Sequence, residues 1–111
     1  FLRVASVRRK WAAPGMVLQA ARDPSPQKAD VARVGFTVTK KVGNAVVRNR
    51  IKRRLRAVAR EIIPNHAEAG WDFVLIGRAK TTDRQFDELK SDLRTAIGKV
   101  GADTSHRRSK S

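Results

Sequence analysis

The clearest pattern in the chain is an apolar step of four, four, three and four residues: Val47, Ile51, Leu55, Val58 and Ile62. Such spacing is one face of an α-helix. It predicts a helix from about Ala45 to Ile63, with Asn44 as the N-cap after the Gly43-Asn44 break and Pro64 as the stop. A second helix is predicted by Phe86, Leu89, Leu93, Ile97 and Val100. Thr82 and Gln85 fit a capping box at its start, and Gly101 fits a cap at its end. Between the helices, Trp71 to Gly77 is apolar on both alternating faces, the mark of a central strand.

Before the first helix the period changes to two. From Val31 to Thr39, Val34, Phe36 and Val38 alternate with Arg33, Gly35, Thr37 and Thr39, as in a half-buried strand. Met16 to Ala21 reads as a strand, preceded by a turn at Pro14-Gly15. Val7 to Trp11 fits a short edge strand, and Phe1 to Ser6 the end of a helix. Asp23-Pro24-Ser25-Pro26 is a loop, because two closely spaced prolines break both helix and ladder. Asn65 to Gly70 reads as another loop. The strands at 16–21 and 31–39, joined by a loop, are expected to be antiparallel neighbours.

These elements describe an α+β fold in the order αβββαβα. Residues 1–100 form one domain, and 101–111 are a polar, basic tail expected to be disordered. No internal repeat is present. The chain begins at Phe1 rather than Met, so a preceding segment is expected.

Charge sharpens the picture. Residues 1–60 carry 16 basic and 2 acidic side chains, whereas residues 61–111 carry 9 and 8. The stretch from Lys40 to Arg60 holds nine Lys or Arg residues and no Asp or Glu. At about 100° per residue, Asn49, Lys52, Arg53, Arg56 and Arg60 share a helix face nearly opposite the apolar stripe. Arg50 and Arg54 fall on the other flank. A solvated helix face normally mixes signs, and a single-sign strip repels itself unless a polyanion is near. With a net charge of +15, this strip is read as a nucleic-acid surface. No apolar run approaches the roughly 18 residues of a membrane span. There is no signal peptide pattern. Cysteine is absent, which excludes a disulfide framework and suits a reducing cytoplasm.

The stretch TKKVGNAVVRNRIKRRLR, Thr39 to Arg56, resembles the protein subunit of bacterial ribonuclease P. It contains an Arg48-Asn49-Arg50 signature followed by Lys52-Arg53 and Arg56, and RVGFTVTKK before it matches the family's strand pattern. The resemblance extends over the order of elements from Phe1 to about Val100. It implies a fold shared with a ribosomal-protein domain, with a left-handed crossover against the usual rule. It implies a cytoplasmic protein, monomeric on its own, that accompanies a catalytic RNA cleaving the 5′ leader from precursor tRNA. Lys40, Lys41, Arg48, Asn49, Arg50, Lys52, Arg53, Arg56 and Arg60 are then the expected RNA contacts. Asn49 fits three roles: a phosphate hydrogen bond, a hold on the catalytic RNA, or a bridge from helix to loop.

The resemblance further implies a cleft for the single-stranded leader, where a basic groove and aromatic stacking would act together. Phe1 matches an aromatic cleft position, and Gln19 stands where some relatives carry Tyr. Ala5 stands where some carry a second aromatic, so Phe36 is a candidate substitute, although core packing is the reading favoured for it. Trp71 and Phe86 are read as core.

The chain itself is expected to supply no catalytic residue. His66 and His106 lack patterned partners; Asp72 and the Asp83/Asp87 pair are candidates for Mg²⁺, although Asp87 with Glu88 on a helix is read as a solvated face. A metal-dependent nuclease needs several convergent carboxylates. The resemblance implies Mg²⁺ bound mainly by the RNA partner. The alternatives from other classes are a structural RNA-binding protein, such as a ribosomal component, and a nonspecific DNA-binding module.

Overall fold

The computed structural model describes residues 7–22, 33–67 and 70–102. The helix expected at Phe1 to Ser6, the loop at 23–26 and most of the tail lie outside them. The described elements are β1 (Val7–Ala12), β2 (Met16–Arg22), β3 (Arg33–Thr37), α1 (Ala45–His66), β4 (Trp71–Gly77) and α2 (Phe86–Lys99). Short 3-10 turns at Lys40–Val42 and Ala79–Thr82 precede the two helices.

The sheet order is β1-β2-β4-β3. β1 and β2 form an antiparallel hairpin about Pro14-Gly15, β2 pairs antiparallel with β4, and β4 pairs parallel with β3. The expected antiparallel pairing of β2 with β3 is therefore wrong. β4 is buried along most of its length, so it takes the centre. β3, with a half-exposed pattern, goes to the edge, and the helix between β3 and β4 makes their pairing parallel.

Register decides which residues share a face. Leu18 opposes Leu75, Ala20 opposes Phe73, and Phe36 and Val34 align with Leu75 and Phe73. These side chains face α1 and α2. Together with Ile51, Leu55, Val58, Ile62, Leu89, Leu93, Ile97 and Val100, they form or border one core. Burying such side chains is worth about 1.5–3 kcal/mol each, which is why both apolar stripes turn inward. Gly77 allows the close approach of α1. A Cβ there would stand 2.4 Å from Ile51 Cγ2 and 2.8 Å from Val38 Cγ2.

The helix ends are built locally. Asn44 caps α1, its Oδ1 accepting from Val47 N–H at 3.0 Å. Pro64 does not stop α1 as expected. It sits inside the last turn, and Ala67 N–H still donates to Ile63 C=O at 3.0 Å. Proline removes its own N–H but leaves downstream donors intact, so the last turn persists. The capping box of α2 also lies three residues beyond the expected one. Glu88 accepts from Gln85 N–H at 3.0 Å, while Thr82 turns its hydroxyl onto Ala79 C=O. The expected cap at Gly101 holds. Its φ of +82° lets Gly101 N–H reach Gly98 C=O and Ala102 N–H reach Ile97 C=O.

A polar clamp locks the hairpin turn to α2. Buried Asp92 accepts from Gly15 N–H at 3.0 Å and from Arg84 Nε at 2.7 Å. Thr81 donates to Gly15 C=O at 2.6 Å, and Arg78 donates to Ala13 C=O at 2.8 Å.

Candidate nucleic-acid interface

α1 turns Ile51, Leu55, Val58 and Ile62 into the core, which leaves its opposite side outward. Asn49, Arg50, Arg53, Arg56 and Arg60 are exposed, and Arg48 and Lys52 are half-buried. Lys40 and Lys41 are exposed on the turn just before the helix. The structure thus gathers every expected RNA contact onto α1 and its approach.

The cations on α1 divide into two kinds. Arg54 is part-buried and crosses to the start of α2, where its guanidinium donates to Thr82 C=O at 3.4 Å and to Arg84 C=O. It holds the helices together. The sequence signal for this role was faint: Arg54 lies on the flank of the apolar stripe, next to Leu55. The other cations from Lys40 to Arg60 make no hydrogen bond or ion pair among the described residues. Arg56 has one contact of a different kind, its Cζ lying 5.3 Å from the centroid of the Phe36 ring. Asn49 does not bridge to the loop; Asn44 makes that link, and Asn49 stays exposed. A row of unpaired like charges along a helix carries a repulsive cost that an approaching polyanion removes.

The two described members of the expected leader cleft part company. Gln19 aligns with Val74, on the sheet face opposite the helices. Phe36 aligns with Leu75, on the helix face, where it packs half-buried against the core. Alternation within each strand and the β4 register between them make a shared groove impossible. Gln19 and Phe36 therefore do not share one face of the sheet. Phe1 lies outside the described residues. On the Gln19 face, Val17, Val74 and Ile76 are half-buried, and Lys10 and Arg33 are exposed. Asp72 on that face is buried and accepts from Arg33 Nε at 3.2 Å. Trp71 is core as expected, stacked with Phe73 at 6.4 Å, and Phe86 packs half-buried against the core.

Among the described residues, no group of three or more His, Cys, Asp or Glu side chains stands together as a metal site. No described helix is long and apolar enough to cross a membrane.

A four-stranded sheet backed by two helices, one of them carrying an outward row of cations with no hydrogen bond or ion pair among the described residues, defines a small α+β protein with one strongly basic helix face. Comparison with known proteins narrows this class. A family model described as Ribonuclease P matches residues 1–101. The chain is 55% identical over 103 residues to the ribonuclease P protein component of Paramagnetospirillum magneticum, spanning 92% of this chain and 77% of that one. It is 52% identical over 103 residues to the corresponding component of Ruegeria pomeroyi, spanning 92% and 81%. A solved structure of the Staphylococcus aureus RNase P protein superposes with a TM-score of 0.66 at 26% identity, covering 86% of this chain and 83% of that one. The Thermotoga maritima RNase P protein shares the fold, with a TM-score of 0.65 at 24% identity over 79% of each chain. The chain belongs to the ribonuclease P protein family, the protein components of an endoribonuclease that acts in tRNA 5′ processing.

Proposed function

We propose that this chain docks the catalytic RNA of ribonuclease P through the outward side of α1 and holds the 5′ leader of precursor tRNA on the opposite sheet face. The contacts to RNA come from Lys40, Lys41, Arg48, Asn49, Arg50, Lys52, Arg53, Arg56 and Arg60. Arginines give bidentate bonds to phosphate oxygens, and lysines give point charges. Gln19, with Phe1, belongs to the leader path. Bond cleavage is hydrolysis of one phosphodiester by the RNA. The Mg²⁺ it uses is expected mainly on the RNA partner. The protein's part is to screen repulsion between two RNAs and keep the leader in place. It works in the cytoplasm as the monomeric protein member of a ribonucleoprotein.

The observation that carries this reading is the division of cations on α1. One is used to hold the fold, and the rest make no hydrogen bond or ion pair among the described residues. The test is 5′ maturation of a precursor tRNA by the matching catalytic RNA at low Mg²⁺, with and without the chain. Strong stimulation is expected, with no cleavage by the chain alone. A folded chain that binds mature tRNA as well as precursor, and does not stimulate, would return it to the general RNA-binding class.

A further inference from the structure

Phe36, on the sheet face opposite Gln19, sits at a recess of its own. The recess measures about 300 Å³, between the edge strand β3 and the second half of α1. Val34, Ala59, Ile63 and Pro64 give it apolar walls, and Phe36, Arg56 and Arg60 complete its lining. Among the described residues, no carboxylate lines it. The volume is at the low end of ligand pockets, which run from about 300 to 1,000 Å³, and suits one planar ring better than a cofactor.

We propose that this recess takes one unpaired nucleotide of the catalytic RNA, its base packed against the Phe36 ring and the Arg56 guanidinium and its phosphate on Arg60. This rests on the docking role proposed for α1, and it names a contact there that charge alone does not supply. Unpaired bases are held by aromatic rings and guanidinium planes, because every base has a π-face. Here both platforms are present side by side, the guanidinium carbon lying over the ring 5.3 Å from its centroid. Arg56 has no hydrogen bond or ion pair among the described residues to hold it elsewhere. Arg60 follows it one helical turn later and is exposed. Because the sheet separates the recess from Gln19, a nucleotide in it belongs to the RNA lying on α1, not to the leader.

The test uses two conservative variants and the catalytic RNA, first without precursor and then with a long-leader precursor. Phe36→Leu keeps apolar bulk against the core but removes the ring. Arg56→Lys keeps the charge but removes the plane, at an exposed position that does not endanger folding. A thermal melt verifies that each variant is folded. Each is expected to weaken binding by about fivefold or more, the lower bound for one stacked base. The slope of log affinity against log salt should stay at the wild-type value, because no charge is lost. The double variant should fall short of the product of the single effects, since both act on one base. Arg53→Ala is the control. If it weakens binding while Phe36→Leu and Arg56→Lys remain within about twofold of wild type, the recess assignment fails and the docking role stands. If all three bind as wild type, the docking role fails as well. A loss that appears only with long-leader precursors would return Phe36 to the leader path and overturn the assignment.

Discussion

Arg53 and Arg54 are neighbours in sequence with identical side chains, and the structure gives them opposite work. Replacing either by alanine lowers the net charge by the same single unit, so any difference between the variants comes from position. Arg53 is exposed, with no hydrogen bond or ion pair among the described residues. Arg53→Ala should change stability by no more than about 0.5 kcal/mol. If Arg53 lies on a phosphate, its loss should lower the log–log salt slope by about 0.7–0.9. Between 50 and 200 mM salt, one contact of that kind is worth about threefold in affinity. The wild type should therefore lose about threefold more affinity over that range than the variant. Arg54 donates to two carbonyls, 28 and 30 residues away in sequence. Arg54→Ala leaves both without their charged donor, a loss of about 2 kcal/mol. In a domain of this size that lowers the melting temperature by about 8–16 °C. Its salt slope should stay near the wild-type value. Filter binding of the catalytic RNA across a salt series, beside thermal melts, measures all four quantities. Equal slopes for the two variants, or an unchanged melt for Arg54→Ala, would refute the division of cations on α1.

Three further outcomes are expected from the packing. Gly77→Ala places a methyl group against Ile51 and Val38, so it should lower stability by about 1–3 kcal/mol, read as a shifted urea midpoint with an unchanged m-value. Asp92→Ala unpairs Arg84 and frees the Gly15 N–H in a buried setting, a loss of about 3–5 kcal/mol by urea titration. Asn44→Ala removes the α1 cap and should cost about 1 kcal/mol, with faster amide exchange in the first turn of that helix.

Much of the site was legible because helices carry their own ruler. The step from Val47 to Ile62 fixes both the buried stripe and, by rotation, the outward row of Asn49, Arg53, Arg56 and Arg60. The charge pattern needs no fold to be read, since an acid-free stretch from Lys40 to Arg60 repels itself in any conformation. Local chemistry likewise announced Asn44 and Gly101 as caps and Trp71–Gly77 as the central strand.

The tertiary structure decided what depends on residues far apart in the chain. Alternation tells which side chains of one strand share a face, but only register joins the faces of different strands. That is why Gln19 and Phe36 looked like partners and proved to lie on opposite sides of the sheet. β3 was displaced from β2 because a strand from later in the chain, buried on both faces, claimed the centre. Arg54 differs from Arg53 only through the carbonyls of Thr82 and Arg84, which no spacing within α1 can foretell. The amino-acid sequence by itself determined the periodic elements and the sign of the surface, because those follow from neighbours within a helical turn or a strand. Which cations serve the fold and which make no hydrogen bond or ion pair among the described residues was settled only by packing, because it depends on which backbone groups arrive from elsewhere.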